Sequence, residues 1–203
     1  MSFDEYAKNW DTEKRIKRAK VVAEEIIKSI SDNENKSAME FGCGTGLVSF
    51  NIYDKFNKVT LIDSSQGMID ILNSKINTYK IDNMAAQHLD IVNGDELNEK
   101  FDVIYNSMVL HHIHDIKLIT NKFYNLLNEG GYLCIVDLNE EDGSFHKEYP
   151  DFDGHNGFDQ EKLKKILASN GFYDIESKTF YQDEKIIDNE KINYSLFIMV
   201  ARR

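Results

Sequence analysis

The feature that most constrains this chain is an alternation of short apolar runs with longer amphipathic ones. Residues 36–41, 58–62, 101–106 and 132–138 are short and mostly apolar, and residues 83–89 add a weaker run of the same kind. Among them, residues 47–56, 67–77 and 116–128 read as helices, with Gly130 and Gly131 stopping the last. Strands that alternate with helices of ten or more residues imply βαβ units, a parallel sheet and helices over both faces. The expectation is an α/β, doubly wound sandwich.

The two ends of the chain depart from that alternation. Ile16, Ala19, Ala23, Ile26, Ile27 and Ile30 recur at helical steps, and Asp11 or Thr12 can cap the start, so residues 1–30 read as an N-terminal helical cap. Residues 139–157 are polar and long for a structureless connection, which predicts a lid loop. A helix over 160–169 ends at Gly171. Strands near 172–180 and 194–200 follow with no helix between them, the pattern of an antiparallel hairpin at a sheet edge. There is no internal repeat, and Pro150 is the single proline, so the 203 residues read as one domain.

Charge then excludes partners. Lys and Arg number 24 against 35 Asp and Glu, a net charge of −11, which argues against a nucleic acid partner because phosphates call for a basic face. No apolar run is long enough to cross a membrane, and Met1-Ser2-Phe3-Asp4-Glu5 lacks the character of a signal peptide. Cys43 and Cys134 lie far apart without metal-type spacing, consistent with a reducing, cytoplasmic setting.

The strongest local signal is Glu40-Phe41-Gly42-Cys43-Gly44-Thr45-Gly46, between the first strand and the segment after it. Glycines let a backbone turn sharply and bring its N–H groups close to a ligand. The dinucleotide pattern would want glycine where Leu47 stands, and Glu40 would repel a pyrophosphate but attract an ammonium group. Asp63 ends the second strand, placed to accept both hydroxyls of a ribose, and Asp90 ends the third, within reach of an adenine amino group. Both acids can equally serve as helix N-caps, and Met68, Tyr6 and Trp10 can equally be packing residues.

Taken together these motifs resemble those of the Rossmann-like S-adenosylmethionine-dependent methyltransferases. Glu40-x-Gly42-x-Gly44-x-Gly46 is similar to the family's first motif, Asp63-Ser64-Ser65-x-Gly67-Met68 to its second, and Leu89-Asp90-Ile91 to its third. Phe101-Asp102-Val103-Ile104 matches the fourth strand. Leu127-Asn128-Glu129-Gly130-Gly131 resembles the Leu-x-Pro-Gly-Gly turn, with Glu129 in place of proline. Phe3-Asp4-x-x-Ala7-x-x-Trp10-Asp11, Leu110-His111-His112-Ile113 and Glu141-Asp142-Gly143-Ser144-Phe145-His146 are similar to a bacterial subgroup acting on small molecules. The resemblance implies a seven-stranded sheet of order 3-2-1-4-5-7-6 with strand 7 antiparallel. It also implies S-adenosylmethionine as cofactor and a small-molecule methyl acceptor. The cofactor would be held by Glu40, Gly42, Cys43, Gly44, Gly46, Asp63, Ser64, Met68, Asp90, Ile91 and Asn106, with Tyr6 and Trp10 folding over its methionine end.

Methyl transfer from a sulfonium is an in-line displacement, and an acceptor hydroxyl or amine also needs a base. His111, His112, His114, His146 and His155 fall after two strands that neighbour each other in the inferred order. His111 and His114 are expected to cap or pack the next helix, leaving His112, His146 and His155 as candidate bases. Imidazoles also suit zinc or iron, but no acid–histidine spacing demands a metal, and none is assigned. Two alternatives stay open: a non-catalytic S-adenosylmethionine-binding regulator, and a nicotinamide-dependent oxidoreductase, which Leu47 and Glu40 disfavour.

Overall fold

The computed structural model describes residues 3–31 and 35–203, so residues 1 and 2 of the expected cap lie outside the described residues. Seven strands form one sheet: β1 (Ser37–Phe41), β2 (Lys58–Asp63), β3 (Met84–His88), β4 (Phe101–Ser107), β5 (Leu127–Leu138), β6 (Tyr173–Ile187) and β7 (Glu190–Arg202). Their order is β3-β2-β1-β4-β5-β7-β6, with the first five parallel and β7 antiparallel to both neighbours, as the resemblance implies. The helices are α1 (Phe3–Tyr6), α2 (Glu13–Lys28), α3 (Gln66–Tyr79), α4 (Ile116–Leu126) and α5 (Gln160–Ser169).

The period of two along each strand divides the core into two layers. On β1, Ala38 belongs to the buried layer that includes Ala23, Ile26, Val48 and Leu72, and Met39 to the opposite layer with Phe123, Leu163 and Leu167. Both faces are covered, which is why the central strands read as unbroken apolar runs. Thr12 caps α2 by accepting from the Arg15 N–H at 3.3 Å, and Ser65 caps α3 by accepting from the Met68 N–H at 3.2 Å.

Three expectations need correction. Residues 47–56 form two 3-10 turns, Ser49–Asn51 and Tyr53–Lys55, instead of a helix. The Asn51 side chain donates to the Leu47 carbonyl at 2.8 Å while its backbone N–H turns to Val48, so a side chain takes the acceptor an α-helix needs. Helix α4 stops at Leu126, and β5 begins at once with Leu127 paired to Phe101. The final hairpin is longer than expected because Asp188 and Asn189 both adopt positive φ (52° and 64°), giving a two-residue turn that keeps β6 and β7 paired to their tips.

The segment after β5 is also more ordered than its polarity suggests. Glu140 and Glu141 donate through their N–H groups to the carbonyls of Phe158 and Asn156, and a 3-10 turn, Ser144–His146, buries Phe145 and His146.

Candidate active site

The carboxyl ends of β1, β2 and β4, together with α1, α2 and the turns that follow the strands, enclose a cleft of about 560 Å³. Gly42, Gly44 and Gly46 carry φ of 67°, 52° and 81°. A Cβ on Gly44 would stand in ordinary contact with Trp10 Nε1 at 3.6 Å and Met68 Sδ at 4.0 Å on the cleft wall, whereas one on Gly42 would collide with Val109 at 2.3 Å. Glycine at 44 therefore keeps cleft volume free, and glycine at 42 permits close packing.

Asp63 ties the loop together. Its carboxylate accepts from the Gly44 N–H and the Ser65 N–H, each at 2.8 Å, and burial pushes its pKa up. Ser65, not Asp63, is the cap of α3, so Asp63 stays turned toward the cleft it lines. Glu40 is 2% exposed, and burial raises its carboxyl to about 8. Ser49 Oγ donates to it, and the Tyr105 hydroxyl bonds Ser49 Oγ in turn at 2.5 Å. This buried chain was not legible in the sequence: Ser49 and Tyr105 lie in unremarkable apolar stretches.

Other expected cofactor residues divide. Cys43, Ser64, Met68, Asp90, Ile91 and Trp10 line the cleft. Met68, 1% exposed, is at once core and wall. Asp90 lines it while accepting from Val92 and Asn93 N–H groups at 3.1 Å, closing a turn, since no helix follows β3 for it to cap. Gly46, Tyr6 and Asn106 are not among the cleft residues. A Cβ at Gly46 would meet Leu72 and Phe50 in the core, Tyr6 is 44% exposed, and Asn106 is fully buried with its amide unpartnered. Their sequence offsets suited the loop, but the strand pleat and the helix turn send them elsewhere.

The N-terminal segment closes over the cleft through specific contacts. Asp4 accepts from Ser65 Oγ at 2.6 Å and the Gly67 N–H at 2.8 Å. Asp11 accepts from Thr45 Oγ1 and pairs with Lys75. Trp10 meets Phe3 edge-on at 5.9 Å and lies 4.0 Å beneath the Arg15 guanidinium. Arg15 and Arg18 line the same wall. Their basic run reads in sequence as a solvated helix face, with Arg15 alone a candidate to grip a carboxylate; the fold adds Arg18.

The histidines separate by role. His112 lines the cleft and packs edge-on against Phe3 at 5.3 Å. Burial, reinforced by the His111 imidazole, lowers its pKa to about 3; burial lowers His146 to about 4. Both are neutral near pH 7 but accept a proton poorly, which is against the expectation of a mid-range base. His146 and His155 do not line the cleft. His155 Nε2 bonds the Ile113 carbonyl at 2.9 Å and its N–H donates to the His111 carbonyl at 2.7 Å, so it pins the turn after β4. His114 faces Asp153 on the surface. His111, expected to be packing, is buried on Asp137.

Comparison with known proteins agrees with this geometry. A family model described as a methyltransferase domain matches residues 14–177. An uncharacterized methyltransferase of Schizosaccharomyces pombe is 37% identical over 117 residues, 54% of this chain and 41% of that protein. The malonyl-[acyl-carrier protein] O-methyltransferase of Calditerrivibrio nitroreducens is 28% identical over 132 residues, 60% of this chain and 47% of that protein. The chain thus spans about half the length of the curated relatives it matches. In fold it is similar to phosphoethanolamine N-methyltransferase 2 of Haemonchus contortus, solved with phosphomonomethylethanolamine and S-adenosylhomocysteine. That match has a TM-score of 0.74 at 15% identity and covers 89% of this chain and 52% of the other. The strand order, the glycine loop between two acids and the matched family model together make this chain a member of the methyltransferase-domain family, with the class I S-adenosylmethionine-dependent fold.

Proposed function

We propose that this protein transfers a methyl group from S-adenosylmethionine to a small-molecule acceptor. The observation that carries the reading is the cleft over the glycine loop, lined by Gly42, Gly44, Glu40, Asp63 and the Trp10 indole. These residues fit the cofactor by chemistry. Asp63 would take the ribose hydroxyls, Met68 and Ile91 would flank an adenine beside Asp90, and Glu40 would face the methionine ammonium. The bound cofactor supplies an electrophilic methyl on a sulfonium. The chain's own part is alignment and exclusion of water: Phe3 and Trp10 cover the cleft, and the Val109 and Met108 side of it receives the acceptor beside His112. Arg15 and Arg18 offer cationic partners for a carboxylate of cofactor or acceptor.

The relatives act, by their names, on a carrier-bound malonyl group or an amino alcohol phosphate, so what carries over to this chain is a small acceptor and no more. The buried free thiols of Cys43 and Cys134 support a cytoplasmic setting, and no helix among the described residues is long and apolar enough to cross a membrane. Calorimetry with S-adenosylmethionine, S-adenosylhomocysteine and NADH tests the cofactor, with micromolar-scale binding expected for the first two and none for the third. Labelled methyl donor incubated with a metabolite extract tests transfer. Failure to bind either adenosyl compound would refute the reading.

A further inference from the structure

His111 and His112 stand on the 3-10 turn after β4, and His146 on the 3-10 turn after β5. One ring nitrogen of each lies within 4.8 Å of those of the other two. The ring centroids of His111 stand 4.2 Å from His112 and 5.0 Å from His146, and Phe152 stacks on His146 at 3.7 Å with planes 9° apart. Behind them, fully buried Asp137 accepts from His111 Nδ1 at 2.6 Å. That bond places the proton on Nδ1 and leaves Nε2 with a free lone pair, the arrangement a carboxylate imposes on a metal-binding histidine. His146 is 7% exposed, and its Nδ1 is buried without a hydrogen-bond partner. Such an atom carries an uncompensated desolvation penalty where nothing satisfies it.

We propose that His111, His112 and His146 bind one divalent transition-metal ion, with Asp137 orienting His111 from behind. Three imidazoles suit zinc(II) or iron(II) and not calcium or magnesium, which prefer oxygen. Nitrogens about 2.0–2.1 Å from a tetrahedral zinc stand ~3.3 Å apart, so closing the longest separation by at most about 1.5 Å through side-chain rotation completes the site. The linear spacing of these histidines assigns no metal; two separate turns bring them together only in the folded chain.

Three protein ligands leave a coordination position free, and His112 in the cleft wall sets that position toward the acceptor. Resting on the methyl-transfer reading, this suits an acceptor whose hydroxyl can take the free position. Its hydroxyl proton would pass to solvent once the oxygen binds the ion. The oxygen lone pair would then form the O–CH3 bond while the S–CH3 electron pair stays on sulfur.

The test titrates chelator-treated protein with cobalt(II) alone and follows its visible ligand-field absorption. About one equivalent should bind and be displaced by zinc. Asp137→Asn should weaken binding roughly 10–100-fold, and His112→Ala should remove the band. His88→Ala, on the sheet edge, should leave it unchanged. No wild-type band, or a band that survives His112→Ala, overturns the proposal. S-adenosylhomocysteine calorimetry on the same samples separates the two ideas. Cobalt binding without nucleoside binding supports the metal site and removes the function above, and the converse does the opposite.

Discussion

Replacing Glu40 by Gln tests the electrostatic design of the site most directly. Folded Glu40 holds its proton up to about pH 8, against the ordinary carboxyl value of 4.5 that the unfolded chain should show. The unfolded state therefore binds fewer protons between these values, and stability falls as pH rises through that window. From pH 5.5 to 7.5 this one carboxyl should cost the wild type roughly 2–3 kcal/mol, a loss the Gln variant escapes. Urea denaturation of both proteins at the two pH values measures it. Equal losses in the two proteins would show that Glu40 is not a buried neutral acid. The same residue makes cofactor binding pH-dependent in the opposite sense. Only ionised Glu40 attracts an ammonium, and its ionised fraction climbs from about one per cent at pH 6 to roughly a quarter at pH 7.5. The ligand amine, with a pKa of about 7.7–8.0, stays mostly protonated over that range. Affinity for S-adenosylhomocysteine should rise roughly tenfold in the wild type and stay flat in Glu40→Gln. A flat wild-type profile would place the ammonium elsewhere.

Gly44→Val should abolish cofactor binding in calorimetry, because its side chain fills the space under Trp10 at a φ of 52°; retained affinity would remove the loop from the site. Asp63→Ala should weaken binding by roughly 1.5–3 kcal/mol, the scale of charge-assisted hydrogen bonds, and an unchanged dissociation constant counts against it. Gly154→Ala puts a Cβ 2.1 Å from the His111 carbonyl, so chemical denaturation should show a loss of roughly 1–3 kcal/mol; wild-type stability would mean the loop yields freely. Residues 3–20 and the proposed lid, 139–157, should gain hydrogen-exchange protection with S-adenosylhomocysteine, and equal protection in both states would deny them a closing role.

The layered α/β order and the cofactor loop were readable in the chain because they are local. Short unbroken apolar runs, glycines after β1 and acids at the ends of β2 and β3 each declare themselves within a few residues. The hairpin at the C-terminus was readable in kind but not in length, since its tips pair outside the core and carry little apolar signal. What local pattern cannot express is convergence. Ser49 reaches Glu40 where Asn51 diverts the turn after β1 from α-helix, and Arg15 joins the cleft where the segment leading into α2 docks through Asp4 and Asp11. His111, His112 and His146 meet over Asp137 because β4 and β5 are parallel neighbours whose following turns fold toward one another. Periodicity in sequence reports which face of an element is buried; which buried faces meet, and so which side chains share a proton or a ligand, is decided by the packing of the whole sheet.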